Sequence, residues 1–247
     1  MKAIILAAGY ATRLYPLTLD RPKALLPIGG RAIIDYIVDE ICTIPAVDAI
    51  YVVTNSKFYK HLTDWSKAAT APVPISVLND LTTDDTNKRG AIGDIAFTID
   101  AYNIDDDILV IAGDNFFTFK LLDYYNFHRT VGGGGADCVC AKEIDDIELL
   151  RGFAVAAMDD QRRLTALEEK PAQPKSNLAV YATYFYTKQT LPLFETYLRE
   201  GNSPDAPGHF PEWLYKRQSV YVFIMDGECI DIGTPRQYEE VNRRFGS

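Results

Sequence analysis

A doubly wound α/β fold with a mainly parallel central sheet is what this sequence predicts, on three observations. Short apolar runs alternate with segments of helical periodicity through the first half. Runs such as Ile108-Leu109-Val110-Ile111-Ala112 are apolar throughout, as strands buried on both faces must be. A loop of small residues, Ala7-Ala8-Gly9, follows directly on the first such run, at the strand end where ligands bind in these sheets.

Taken in order, Ala3-Ile4-Ile5-Leu6 reads as the first buried strand. Pro16, Pro22 and Pro27 stiffen the loop that follows. Ile33, Ile34, Ile37, Val38 and Ile41 recur at helical spacing and predict a helix over Arg31 to Ile44. Ala49 to Thr54 is the second strand, Phe58 to Ala69 a helix, and Ile75 to Leu78 the third strand. Asn79 to Arg89 (NDLTTDDTNKR) is too polar to pack and reads as a loop. Gly90 to Ala101 is helical, and Ile108 to Ala112 is the fourth strand. Right-handed crossovers would gather the loops after the first and fourth strands at one edge.

The second half changes character. Val131-Gly132-Gly133-Gly134-Gly135-Ala136 reads as a flexible turn before a strand from Asp137 to Lys142. Strands follow at Phe153 to Met158, Leu164 to Glu169 and Val180 to Tyr186. Helices are expected at Gln189 to Arg199 and Phe210 to Arg217, then a strand from Val220 to Met225 and a last helix from Pro235 to Arg244. No linker or internal repeat divides the chain, so residues 1–247 are expected to form one domain.

With 247 residues, 47% of them hydrophobic, there is enough chain for a sizeable core. The formal net charge of −9 and the lack of a long basic cluster argue against a nucleic-acid partner. A phosphate ligand would have to be met by local cations and a metal ion. The cysteines Cys42, Cys138, Cys140 and Cys229 lack zinc spacing and read as reduced, buried thiols. No signal peptide and no membrane span is expected, which points to the cytoplasm.

The chemistry concentrates at a few places. The bare backbone at Ala7 to Gly9 lets a ligand approach peptide N–H groups, and Arg13 and Lys23 are two cations from the same braced loop. Together they suit a polyphosphate, although the loop is neither a P-loop nor G-x-G-x-x-G. The plainer alternative is a tight turn with two solvated cations. Asp114 follows the fourth strand, where a carboxylate suits Mg²⁺. Thr234 and Pro235 read as N-cap and first turn of the last helix, which leaves Asp231 free to be a second metal carboxylate. Glu169 and Lys170 end a strand before Pro171, either as hydroxyl acceptor and phosphate cation or as a surface ion pair.

These stretches together resemble the sugar-1-phosphate nucleotidylyltransferases, with the thymidylyltransferases acting on glucose 1-phosphate nearest. The resemblance rests on Leu6-Ala7-Ala8-Gly9-Tyr10-Ala11-Thr12-Arg13-Leu14-Tyr15-Pro16-Leu17-Thr18, Pro22-Lys23, Pro27-Ile28, Gly113-Asp114-Asn115, Glu169-Lys170-Pro171, Lys175 to Val180 and Asp231-Ile232-Gly233-Thr234-Pro235, in the family's order from Met1 to about Tyr238. It implies a Rossmann-like three-layer sandwich of the nucleotide-diphospho-sugar transferase type, with residues 1–130 binding the nucleotide and 131–247 the sugar phosphate. It also implies that Arg13 and Lys23 contact the nucleotide phosphates and that Asp114 and Asp231 hold Mg²⁺. Lys170 would bind the sugar phosphate, and Gly152, Glu169, Asn177 and Val180 would line the sugar site. Ala8, Gly9 and Gly90 would approach the nucleoside through backbone, with Asn79 as a candidate base reader.

The sequence departs from the family pattern in places. Ala11 replaces the second glycine of the loop, and an alanine is strained if that position needs positive φ. The glutamine-proline stretch of the thymidylyltransferases is missing from Asn79 to Arg89. The sequence stops at Ser247, shortly after the last helix, so the assembly of longer relatives is not expected to carry over and the oligomeric state stays open.

The resemblance implies nucleotidyl transfer from a nucleoside triphosphate, dTTP or UTP, to glucose 1-phosphate with release of pyrophosphate. A phosphate oxygen is already a competent nucleophile, in keeping with a chain of only three histidines. A cytidylyltransferase acting on phosphocholine or an alditol phosphate, and a silent sugar-nucleotide-binding subunit, are the alternatives. A dehydrogenase is disfavoured by the missing G-x-G-x-x-G.

Overall fold

The computed structural model describes residues 1–246. In chain order the elements are β1 (Lys2–Leu6), β2 (Pro27–Ile28), β3 (Arg31–Ala32), α1 (Ile33–Cys42), β4 (Ala49–Thr54), α2 (Tyr59–Ala68), β5 (Ile75–Asn79), α3 (Ala91–Ala101), β6 (Ile108–Ala112), β7 (Asn115–Phe117) and α4 (Leu121–Thr130). They continue with β8 (Asp137–Glu143), α5 (Ile147–Leu150), β9 (Ala154–Met158), β10 (Leu164–Glu169), β11 (Leu178–Tyr186), α6 (Leu191–Arg199), α7 (His209–Leu214), β12 (Val220–Ile224), β13 (Cys229–Asp231) and α8 (Pro235–Phe245).

One nine-stranded mixed sheet runs through both halves in the order β10-β9-β11-β6-β1-β4-β5, with β8 and β12 attached on the other side of β11. Strands β6, β1, β4 and β5 are parallel, and their registers put Leu6 beside both Val53 and Ala112. The loops leaving β1 and β6 therefore start side by side. Strand β11 is antiparallel to β6, β8 and β9.

Alternation along β1 assigns each face to its own core. Ala3 and Ile5 pack with α1 and α4 residues such as Ile37 and Tyr124, while Ile4 packs with α3, α6 and α7 residues such as Ile92, Phe194 and Phe210. The result is the helix-sheet-helix sandwich that the sequence implied.

Several expectations are corrected in detail. Arg31-Ala32 does not begin the first helix but pairs with Pro27-Ile28 as a hairpin closed by Gly29 and Gly30, both at positive φ. The helix α4 and the short α5 stood outside the sequence reading. So did the two-stranded sheet of β7 and β13, in which Asp231 pairs with Asn115. That small sheet is what carries Asp231 to the C-terminal end of β6.

Candidate active site

The loop after β1 is fixed by the neighbouring strand. The amide of Ala7 donates to Val53 O at 2.8 Å, and the buried Thr54 and Asn55 donate to the carbonyls of Ala7 (3.1 Å) and Ala8 (2.8 Å). Gly9 stays open, with nothing within 4 Å of where a side chain would begin. Ala11 then adopts φ 48° and ψ 42°, the left-handed conformation in which an alanine is strained. Its carbonyl accepts from Leu14 N (3.0 Å) and from the buried Thr18 hydroxyl (2.8 Å), which close the turn around Arg13.

Lys23, in a short 3₁₀ turn, is buried and does not extend freely into solvent. Its Nζ donates to Asp114 Oδ2 at 2.8 Å and to Asp231 Oδ1 at 2.9 Å. Burial works against the Lys23 charge, but Asp114 and Asp231 together outweigh it and raise its pKa. Asp114 reaches this point because Gly113 before it lies against β1, where a Cβ would meet Ile5 Cγ2 at 2.9 Å. Asp231 is free for it because Thr234 caps α8, accepting from Gln237 N at 3.3 Å, and Gln237 in turn accepts from Gly233 N at 3.0 Å.

Two cavities meet here. The first, about 360 Å³, is walled by Gly9 to Arg13, Lys23, Asp85 and Lys88. The second, about 710 Å³, lies over β9 to β11 and includes Gly152, Glu169, Val180 and Tyr184. Leu6, Arg13, Asp114, Asp231 and Gly233 belong to both linings, so the carboxylates and the arginine stand at the junction.

Glu169 is the half-buried carboxylate of the larger cavity. Burial pushes its carboxyl above the usual range, against the pull of Lys170 and His209. Its Oε2 lies only 2.1 Å from where a Cβ on Gly208 would sit, so a side chain at 208 would push the carboxylate out of this position.

Other residues named from the sequence fall outside the cavities. Lys170 is exposed, at φ 47°, with Nζ 3.8 Å from Glu169 Oε1. Asn177 is exposed, and its carbonyl accepts from Ile144 N. Asn79 turns its Oδ1 to Ser56 (3.1 Å) and to Leu81 N (2.9 Å). The carbonyl of Ala8 is taken by Asn55, and Gly90, at φ 78°, packs against Pro204, whose carbonyl a Cβ would meet at 2.4 Å. Conversely, Asp85, Lys88 and Gly208 were not singled out from the sequence. The polar loop hid the first two, and only the distant approach of Glu169 marks the third.

Asp114 and Asp231 outnumber the one ammonium held between them, and their hard oxygen donors suit a divalent cation whose remaining ligands are phosphate oxygens and water. Among the described residues no cluster of three or more histidine, cysteine or acidic side chains could hold a metal alone. Asp114 and Asp231 therefore fit a cation brought in with a phosphate ligand.

A family profile described as nucleotidyl transferase matches residues 2–246. The chain belongs to that family of enzymes. A Sulfolobus acidocaldarius protein provisionally named mannose-1-phosphate guanyltransferase is 29% identical over 98% of this chain and 62% of its own length. The Haloferax volcanii UTP–glucose-1-phosphate uridylyltransferase AglF is 26% identical over 99% of this chain and 96% of its own length. A Bacillus anthracis structure provisionally named glucose-1-phosphate thymidylyltransferase, solved with sucrose, superposes with a TM-score of 0.80 at 25% identity, covering 100% of this chain and 96% of that one. The chain spans about half to two thirds of the length of several curated relatives it matches. No helix among the described residues is long and apolar enough to cross a membrane.

Proposed function

We propose that this chain transfers a nucleotidyl group from a nucleoside triphosphate to a sugar 1-phosphate and releases pyrophosphate, with residues 1–130 holding the nucleotide and 131–247 the sugar phosphate. The observation that carries this reading is the meeting of two cavities at Arg13, Asp114 and Asp231. A reaction between two bound phosphates needs such a junction.

In this reading the triphosphate lies along Gly9 to Arg13, and the sugar lies over Gly152, Glu169 and Val180. An oxygen of the sugar phosphate forms a bond to the α-phosphorus as the bond to the β-phosphate oxygen breaks, and pyrophosphate carries away the electron pair. No proton need move. Catalysis is then positioning and charge neutralisation. Arg13 reaches the junction, its Nη2 3.9 Å from where a Cβ on Gly233 would lie, and stabilises charge on the α-phosphoryl. Lys23 keeps Asp114 and Asp231 together. Glu169 accepts hydrogen bonds from sugar hydroxyls. A Mg²⁺ ion held by Asp114 and Asp231, when bound, would neutralise phosphate oxygens.

Glucose 1-phosphate with UTP or dTTP is the preferred pair, supported by the names of the Haloferax and Bacillus proteins and their near-complete overlap with this chain. A panel of the common triphosphates against glucose, mannose and N-acetylglucosamine 1-phosphates and phosphocholine, read by pyrophosphate release, tests the proposal. Release with one sugar 1-phosphate and Mg²⁺ is the expected result. No release with any pair would refute transfer, and release with phosphocholine alone would refute the sugar.

A further inference from the structure

The first cavity has a cation that the proposed reaction has not yet used. Lys88 lines it along with Gly9, Arg13 and Asp85. Its Nζ lies 3.0 Å from Asp205 and 3.8 Å from Asp85. Both members of the closer pair are well exposed, and such ion pairs contribute little to stability. A weak pair over a cavity is an exchangeable one.

The surroundings hold Lys88 in this place. The preceding loop is braced from within: Asp84 Oδ1 accepts from Thr86 N at 2.8 Å, and Asn87 Oδ1 from Thr83 N at 3.1 Å. Arg89, next in the chain, donates to Asp80 O at 2.8 Å and stacks over Phe97. The partner, Asp205, is also anchored. The carbonyls of Pro204 and Asp205 accept from Ile92 N (2.9 Å) and Ala91 N (3.0 Å), capping the N-terminus of α3. A few residues further on, the same strap presents Pro207 and Gly208 to the second cavity, against Glu169.

We infer that Lys88 is a further phosphate-binding cation of the first cavity, one that leaves Asp205 for the β- and γ-phosphates of the bound triphosphate. Lys23 cannot fill this role while it is held by Asp114 and Asp231, which leaves Arg13 and Lys88 as the other cations lining the space. An ammonium suits a mobile phosphate because it acts as a point charge without a fixed donor fork. The inference rests on reading this cavity as the triphosphate pocket.

The test is calorimetric titration of inorganic tripolyphosphate, with magnesium, into the full chain and its Lys88→Ala, Lys88→Arg and Asp205→Asn variants. Lys88→Ala should weaken binding roughly tenfold, the loss of one charge-assisted contact. Lys88→Arg should stay within about twofold, and Asp205→Asn should bind at least as tightly as the parent, because Lys88 is released. In turnover, Lys88→Ala should raise the triphosphate KM and leave the sugar-phosphate KM unchanged. Parental affinity in Lys88→Ala overturns the inference. So does equal weakening in Asp205→Asn, which would make the pair a structural brace. A chain that binds tripolyphosphate through Lys88 but releases no pyrophosphate in any pairing supports the inference and overturns only the transferase reading.

Discussion

The hydroxyl of Thr18 donates to the carbonyl of Ala11 at 2.8 Å, and Ala11 sits in the left-handed region at φ 48°. The two facts belong together. A left-handed alanine costs roughly 1–2 kcal/mol, so the surrounding structure must hold it. The buried Thr18, with Leu14 N, does so by fixing the carbonyl. Ala11→Gly removes the strain but adds unfolded-state freedom worth about 0.4–1 kcal/mol, so a net gain of up to about 1.5 kcal/mol is expected. Thr18→Val should lose about 1 kcal/mol. Urea denaturation of both variants checks this, and a destabilised Ala11→Gly would contradict it.

Lys23 stands between Asp114 and Asp231 and is nearly enclosed, while both carboxylates are about half exposed. Lys23→Met removes the ammonium that bridges the two carboxylates. Because water can reach them, the cost should be modest, about 1–2 kcal/mol in chelator. Millimolar magnesium should then raise the variant's Tm more than the parent's, since the ion no longer competes with an ammonium. Differential scanning fluorimetry with and without magnesium measures both. Equal magnesium shifts would count against the shared site.

The parts of this architecture written in local pattern were legible in the sequence. Strands β1, β4 and β6 are apolar because helices cover both faces, and the crossover rule gathers the loops after β1 and β6 at one edge. Helix α4 was harder to see. Its buried positions are Leu121, Tyr124 and His128, two of them polar by type, with His128 stacked on Phe185 inside the core. Sheet β7–β13 has no local signature at all, since each partner strand is three residues long and they pair across most of the second half. The two aspartates could be named from their motifs, but the pairing of Asp231 with Asn115 that brings them together is long-range. Lys88 was lost for a related reason: within NDLTTDDTNKR it is one charge among several, and only the fold turns it toward the cavity.

Gly208 and Glu169 give a test of the larger cavity that leaves the carboxylate itself untouched. A Cβ at position 208 would lie 2.1 Å from Glu169 Oε2. Gly208→Ala must therefore displace the Glu169 side chain, while the first cavity keeps its lining. With Glu169 displaced, the sugar-phosphate KM should rise roughly tenfold, as expected for one lost hydrogen bond to a charged group. The triphosphate KM should stay within about twofold. Initial rates with each substrate varied in turn separate the two, and a rise confined to the triphosphate would place the sugar elsewhere.

Asp94, on the first turn of α3, supplies a pH dependence. Burial, and after it the nearby Asp80, push its carboxyl up to about 8, with Arg89 pulling the other way. Its Oδ1 has no hydrogen-bond partner in the fold, which suits a protonated acid better than an anion. The ordinary value is 3.8, so from about pH 4 to about pH 8 the folded chain binds a proton that the unfolded chain has lost. Stability attached to this group therefore falls as pH rises through that window and levels off above it. Asp94→Asn has no proton to lose and keeps nearly the same shape. Its Tm should match the parent near pH 4 and exceed it by roughly several degrees at pH 9. Parallel Tm curves for the two proteins across this range would show that Asp94 is ionised in the folded chain throughout.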